Sequence, residues 1–160
     1  MERTFLDFCR GLEDPRIEGM VTYPLAEVML SALVGVLCGA DDFEEIDLCA
    51  REKLEVLRRY LPYACGVAPE QTLRRVFRAL DGQAFQEAFS AWMQGFSGSV
   101  GRGIALDGKT LRGSADAGKG EKALHLVSAF AHDAGLVLGQ QAVGDKSNEI
   151  KAIPQLLDRL

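Results

Sequence analysis

Apolar residues in the first 94 positions recur every three or four residues, and Gly, Pro and Asp interrupt the repeats. This spacing is typical of amphipathic helices separated by turns. It predicts a short helix over Thr4–Leu12 and a very apolar helix over Pro24–Gly39 that belongs in a core. Asp41 or Asp42 is expected to cap the next helix, which ends before Pro62.

The segment that begins at Pro69 predicts a helix with two different sides. Leu73, Val76, Phe77 and Leu80 share one side, whereas Arg74, Arg75 and Arg78 lie on the other. A basic helix after a turn fits the recognition helix of a helix-turn-helix domain, although many ordinary surface helices show the same pattern. One more helix is expected after Asp81, with an apolar stripe that we interpret as core: Phe85, Ala88, Phe89, Trp92, Met93 and Phe96.

Beyond a glycine-rich joint at residues 95–103 the apolar period changes to two, which predicts strands. The expected strands are Ile104–Asp107, Leu124–His132 and Leu136–Val143, with a polar loop over Gly108–Lys122. A closing helix should present Ile150, Ile153, Leu156 and Leu157 on one face. The pattern predicts an α+β chain with an all-α domain at 1–97, followed at 98–160 by a sheet that looks cut short.

Charge and composition narrow the classes of function. The net charge of -5 argues against an indiscriminate polyanion binder, yet Arg102–Lys122 carries five bases against three acids and could grip a phosphate backbone. The four cysteines form no Cys-x-x-Cys pair and there are only two histidines, which argues against a zinc site and predicts reduced, mostly buried thiols. Without an export signal or a membrane-length apolar run, a cytoplasmic location is expected.

The stretch Gly103–Ser114 carries the candidate chemistry. A short apolar run delivers Asp107 to a glycine turn, and Lys109 and Arg112 follow it closely. A carboxylate beside basic residues suits a metal ion next to a phosphate. Asp-Gly after a strand is also an ordinary turn signal, so the local sequence leaves both interpretations open.

Several separated motifs point to a known family. Asp14-Pro15-Arg16, Tyr23-Pro24-Leu25 and residues 72–77 are similar to a helical domain associated with certain transposases. Residues 104–114, 124–130 and 146–150 look like the opening of their catalytic core. The whole chain resembles the H-repeat-associated group of DDE-type insertion-sequence transposases.

This resemblance implies a ribonuclease-H-like core that cuts and joins double-stranded DNA at element ends by two-metal phosphoryl transfer. It makes Asp107 the first carboxylate of the Asp-Asp-Glu set and a ligand of Mg²⁺ or Mn²⁺. The other two acids belong beyond this segment, so metal binding here should be weak or absent and the chain inactive alone. Asp145 and Glu149 are better explained as residues of a helix N-terminus than as substitutes. The residues expected to contact DNA are Arg74, Arg75, Arg78, Lys109 and Arg112.

A different class of function fits the same residues. The chain could be a truncated, non-catalytic module that binds DNA and regulates a transposase. Its partners would then be element-end DNA, a second copy of itself or a full-length transposase. In neither case is a membrane involved.

Overall fold

The computed structural model describes residues 4–94, 104–111, 114, 123–131, 136–143 and 149–158. The chain folds into two compact units, Cys9–Phe85 and a second unit formed by Met1–Phe8 together with Gln86–Leu160. Helices come first and an antiparallel sheet follows, which confirms the α+β prediction. The predicted boundary between residues 97 and 98 lies outside the described residues and stays a prediction.

The elements follow one another in the order helices, strands, helix. They are α1 (Phe5–Arg10), α2 (Leu25–Leu37), α3 (Phe43–Glu52), α4 (Leu54–Leu57), α5 (Glu70–Ala79), α6 (Gly82–Gln94), β1 (Ile104–Thr110), β2 (His125–Ala131), β3 (Leu136–Val143) and α7 (Glu149–Leu157).

Helix α2 supplies many of the buried residues of the Cys9–Phe85 unit, as its apolar sequence predicts. Pro24 precedes its first turn, and Val28, Met29 and Leu30 are buried. Helix α3 packs against it so closely at Gly35 that a Cβ atom there would lie 3.1 Å from the Cα of Ile46. A glycine is needed at this position because the approach leaves no room for a side chain.

Helix α3 begins where the sequence predicts. The Asp42 carboxylate accepts a hydrogen bond from the backbone N–H of Glu45 at 2.9 Å, and the Glu45 carboxylate accepts one from the N–H of Asp41 at 2.7 Å. The prediction of one continuous helix is wrong, because the chain leaves regular helical geometry at Lys53 and α4 starts after it. The apolar spacing does not reveal this break, since Ile46 before it and Leu57 after it are both buried.

A motif that carries the family resemblance has a structural explanation. The Arg16 guanidinium bonds both oxygens of Asp14 and donates to the backbone carbonyl of Tyr23 at 2.8 Å. The hydrogen bonds from Arg16 hold the pKa of Asp14 below its ordinary value. The pair thereby fixes the loop that leads into α2.

Aromatic side chains from α1 and α6 form a cluster in the other unit. Its ring centroids are 5.5–6.1 Å apart, and the members are Phe5, Phe8, Phe89 and Trp92. The prediction that the α6 stripe is core holds for Met93, which is buried. Phe85, Phe89 and Trp92 are only half-buried, and Phe96 lies outside the described residues.

The sheet has the strand order β1-β2-β3, and both neighbouring pairs are antiparallel. Helix α7 packs on β2 and β3, where Val127, Ala129 and Val143 meet Ala152 and Leu156. Leu156 is 1 % exposed, as its place in the predicted apolar face requires, whereas Leu157 is 42 % exposed and does not belong to that face.

Two sequence-based predictions need correction. Strand β1 continues to Thr110 and does not end at Asp107, because Gly108, Lys109 and Thr110 pair with β2; the pairing overrides the local Asp-Gly turn signal. The sequence predicts mostly buried thiols, but Cys38 and Cys65 are exposed and only Cys9 is buried.

None of the described helices is long and apolar enough to span a bilayer.

Candidate active-site residue and nucleic-acid interface

Asp107 lies in the middle of β1, on an edge strand whose seven residues are all exposed. Its partner across the sheet is Ser128, and the partner of Ser128 on β3 is Gln140. Paired residues in an antiparallel sheet point to the same face, so these three side chains form one polar row. Gln140 Nε2 donates to Ser128 Oγ at 3.1 Å, which agrees with that arrangement.

The polar row lies on the face of the sheet opposite α7. Val127 and Ala129, which flank Ser128 in β2, are buried and belong to the apolar cluster beneath α7. Because side chains alternate between faces along a strand, Ser128 and its partner Asp107 point away from that cluster. Asp107 therefore presents an exposed carboxylate rather than a buried one.

Lys109 follows Asp107 by two residues and shares its face of the sheet. It is exposed, and its partner on β2 is Leu126. Within the described part of the chain no salt bridge holds Asp107 or Lys109. Both charges are thus available to a ligand. Arg112, the third charged residue predicted for this site, lies outside the described residues.

Ser114 closes the base of the segment that joins β1 to β2. Its hydroxyl donates to the carbonyl of Leu111 at 2.7 Å and accepts a hydrogen bond from the N–H of Leu124 at 2.8 Å. The N–H of Leu111 donates to the carbonyl of Leu124 at 2.8 Å. Sequence reasoning did not identify this role, because a serine in a polar loop carries no signal of its own.

Among the described residues no three His, Cys, Asp or Glu side chains cluster in a way that could hold a metal ion. Asp107 can supply one oxygen ligand, which is the donor type that Mg²⁺ and Mn²⁺ prefer. Asp145 lies outside the described residues, and Glu149 is the first residue of α7. The residues present therefore fit one ligand position of a divalent cation.

The three arginines of α5 are exposed, as the sequence predicts, while Leu73 and Val76 are buried beneath them. They do not share one environment. Arg74 pairs with Glu70 through its Nε at 3.0 Å, and its guanidinium carbon lies 5.5 Å from the centroid of the Phe43 ring. An ion pair and a cation–π contact together restrict its side chain.

Arg75 and Arg78 form no salt bridge with another described residue. Together with Gln71, Arg74 and Ala79 they line a surface cavity of about 290 Å³. Two guanidinium groups one turn apart, without carboxylate partners, suit the binding of phosphate oxygens.

Helix α5 does not follow α4 through the tight turn expected of a helix-turn-helix. The connection covers residues 58–69, whereas that motif uses a turn of about three or four residues. The basic helix therefore suits a phosphate-contacting surface better than a base-reading helix.

Comparison with known proteins agrees with these observations. Residues 98–160 match the family model described as Transposase DDE domain, and residues 6–93 match the model described as DDE_Tnp_1-associated. The chain belongs to the DDE_Tnp_1-associated family, and its second part matches the Transposase DDE domain. The predicted resemblance is thus confirmed, and the match does not favour the alternative of a regulatory module.

Relatives in Escherichia coli are similar along almost the whole chain. The "Putative transposase YncI" of strain O157:H7 is 40 % identical over 159 residues, which cover 99 % of this chain and 41 % of that protein. The strain K12 proteins "H repeat-associated putative transposase YhhI" and "YbfD" are 35 % and 33 % identical over 93 % of this chain, and 40 % and 59 % of their own lengths are covered.

The chain therefore spans about 40 to 60 % of the length of these relatives. No solved structure matches it significantly.

Proposed function

We propose that this chain provides the first catalytic carboxylate and a DNA-contacting helical domain of a DDE transposase that cuts and joins double-stranded DNA at element ends. The observation that carries the proposal is the position of Asp107. Its exposed carboxylate lies on the sheet face opposite α7, within the segment that matches the Transposase DDE domain. Exposure matters because a metal bound there must reach a bulky phosphate backbone.

The proposed cofactor is Mg²⁺ or Mn²⁺, with Asp107 as one ligand. A divalent cation bound to such carboxylates neutralises the charge that develops on a scissile phosphate and favours attack by a hydroxyl group. Asp107 would supply one oxygen ligand to the cation, and Lys109 on the same face would attract the neighbouring phosphate. With a single carboxylate most ligands would be water, so binding should be weak.

The second proposed element is a phosphate-binding surface on α5. Arg75 and Arg78 are the contacting residues, because their guanidinium groups have no carboxylate partner among the described residues. Arg74 has a supporting role, since Glu70 and Phe43 already engage it. Contacts to phosphates position DNA without reading its sequence. This surface should therefore bind many duplexes with similar affinity.

The metal-binding proposal is tested by titrating the chain with Mn²⁺ and following paramagnetic broadening of assigned amide signals. We expect the signals of Asp107, Lys109 and Ser128 to broaden first, and Asp107→Asn to abolish this effect. Asp158→Asn is the control, because it removes an exposed carboxylate from the end of α7. Broadening that persists in Asp107→Asn would contradict the assignment.

The DNA-binding proposal is tested by measuring affinity for a duplex over a salt series. Affinity falls as salt rises, and each lost phosphate contact makes the negative slope of log affinity against log salt shallower by roughly 0.9. Arg75→Ala and Arg78→Ala should each make the slope shallower by about that amount. Arg58→Ala makes the same change of charge, but Arg58 is paired with Glu55, so its slope should equal that of the wild type. Equal slopes in the wild type and in all three variants would show that Arg75 and Arg78 of α5 do not contact DNA.

A further inference from the structure

Ser128 interrupts an otherwise apolar stretch of β2, and its side chain lies between two polar neighbours. The sequence Leu-Val-Ser-Ala-Phe-Ala places one hydroxyl in the middle of the central strand. On one side Gln140 donates to that hydroxyl, and on the other side lies Asp107. The Ser128 hydroxyl is half-buried and does not belong to the apolar cluster beneath α7, so packing in that cluster does not explain a serine at this position.

The hydrogen bond from Gln140 determines which groups of the polar row donate and which accept. Gln140 Nε2 is a donor, so Ser128 Oγ uses one lone pair to accept from it and keeps its own proton for another acceptor. The cross-strand neighbour on the same face is Asp107, whose ionised carboxylate can only accept hydrogen bonds. Directly paired residues have Cβ atoms roughly 4.5–5.5 Å apart, so a rotation of the Asp107 side chain would bring its carboxylate within hydrogen-bonding reach of the Ser128 hydroxyl, and one bridging water molecule would also join the two.

We propose that Ser128, supported by Gln140, is a positioning residue that holds the Asp107 carboxylate in the orientation required to bind a divalent cation. One carboxylate oxygen accepts the Ser128 proton, and the other oxygen faces the cation. An exposed aspartate on an edge strand rotates freely unless a neighbour restrains it, and a cation gains affinity from a ligand that is already oriented. This inference rests on the proposed function of Asp107.

The test compares hydroxyl-deleting and hydroxyl-retaining variants in the same Mn²⁺ titration. Ser128→Ala should lower the Mn²⁺ affinity, as followed by the broadening at Asp107, roughly tenfold, which is a typical effect of losing an outer-shell partner of a metal ligand. Ser128→Thr should rescue it, because threonine keeps the hydroxyl and suits a strand. Methionine cannot donate a hydrogen bond, so Gln140→Met should weaken Mn²⁺ binding, although less than Ser128→Ala does. Gln140→Met replaces Ser128→Ala as the test if the Ser128→Ala variant fails to fold.

Thr110→Val is the matched control. Thr110 is also in β1, and its hydroxyl lies on the opposite face of the sheet, where it bonds His125 Nδ1 at 2.7 Å. Its loss should leave Mn²⁺ affinity unchanged. Thermal unfolding of every variant separates a positioning effect from a loss of fold, because only the former changes affinity at an unchanged melting temperature.

The outcomes distinguish this inference from the one on which it rests. If the wild-type chain shows no Mn²⁺-dependent broadening near Asp107, the proposed metal site fails and the positioning role fails with it. If the broadening depends on Asp107 but is equal in Ser128→Ala, Gln140→Met and the wild type, only the positioning role is overturned.

Discussion

Glu27 and Tyr63 are joined by two reciprocal hydrogen bonds although they lie 36 positions apart in the sequence. Oε1 of Glu27 accepts from the backbone N–H of Tyr63 at 2.7 Å, and the Tyr63 hydroxyl donates to the backbone carbonyl of Glu27 at 2.8 Å. Ser31 Oγ lies 3.1 Å from the same hydroxyl. Glu27 is 4 % exposed and Tyr63 is 0 % exposed, so these bonds attach the segment after α4 to α2.

The first prediction concerns the Tyr63 hydroxyl. Tyr63→Phe leaves the Glu27 carbonyl and the Ser31 hydroxyl without that partner in a buried site. Loss of a buried hydrogen-bond partner typically costs about 1–3 kcal/mol. We expect urea unfolding to show a loss of stability in this range. Tyr60→Phe, at a position that is 71 % exposed, should change stability by less than about 0.5 kcal/mol. Equal stabilities of the two variants would contradict the prediction.

The second prediction concerns alkaline pH. Burial raises the pKa of Cys9 from 9.0 to about 11, and mainly burial raises that of Tyr63 from 10.0 to about 12. Above pH 9, therefore, the unfolded chain loses protons that the folded chain retains. The free energy of unfolding should fall as pH rises, by at most about 1.4 kcal/mol per pH unit for each group.

Variants separate the two contributions in denaturation measured from pH 8 to pH 12. Cys9→Ala should remove the part of the decline that begins near pH 9, and Tyr63→Phe the part that begins near pH 10. An identical pH dependence in the wild type and in both variants would show that these groups do not cause the decline.

Helices were predicted better than the strand that carries the candidate site. The helical period and the Asp42 cap place α2 and α3, because both signals act within a few residues. The end of β1 could not be predicted in the same way. Asp107-Gly108 is a strong local turn signal, and only the pairing of Gly108 with Val127 on β2 extends the strand beyond it.

The surroundings of the site residues were also hidden from the sequence. The neighbours of Asp107 depend on the register of three strands, which places Ser128 and Gln140 in its row. The sequence pattern places Arg74 with the other basic residues of α5, yet Phe43 from α3 lies against its guanidinium group. Both relationships join residues that are distant in sequence, and periodicity within one element does not encode them.

The third prediction tests the close contact between α2 and α3. A Cβ atom at Gly35 would lie 2.9 Å from Cγ1 and 3.1 Å from Cα of Ile46, so the two backbones must separate to admit it. Although alanine favours a helix by about 1 kcal/mol over glycine, overpacking typically costs about 1–3 kcal/mol. Gly35→Ala should therefore destabilise the chain in thermal unfolding.

Gly82→Ala is the control for Gly35→Ala. Gly82 is the first residue of α6, and a Cβ atom there would meet nothing within 4 Å. This substitution should leave stability unchanged or raise it by up to about 1 kcal/mol. If both variants gain stability, the packing of α2 on α3 is looser than the structure indicates.

The last prediction concerns catalysis by the chain itself. Two-metal phosphoryl transfer needs several carboxylates around the cations, and Asp107 is the one that we propose within the segment matching the Transposase DDE domain. The purified chain should therefore bind element-end duplex through α5 without cutting it in Mg²⁺ or Mn²⁺. Strand cleavage is measured on labelled DNA beside the Asp107→Asn variant, which should give the same background. Cleavage that Asp107→Asn abolishes would mean that the chain assembles a complete site, and the role of Asp107 as a single partial ligand would then be wrong.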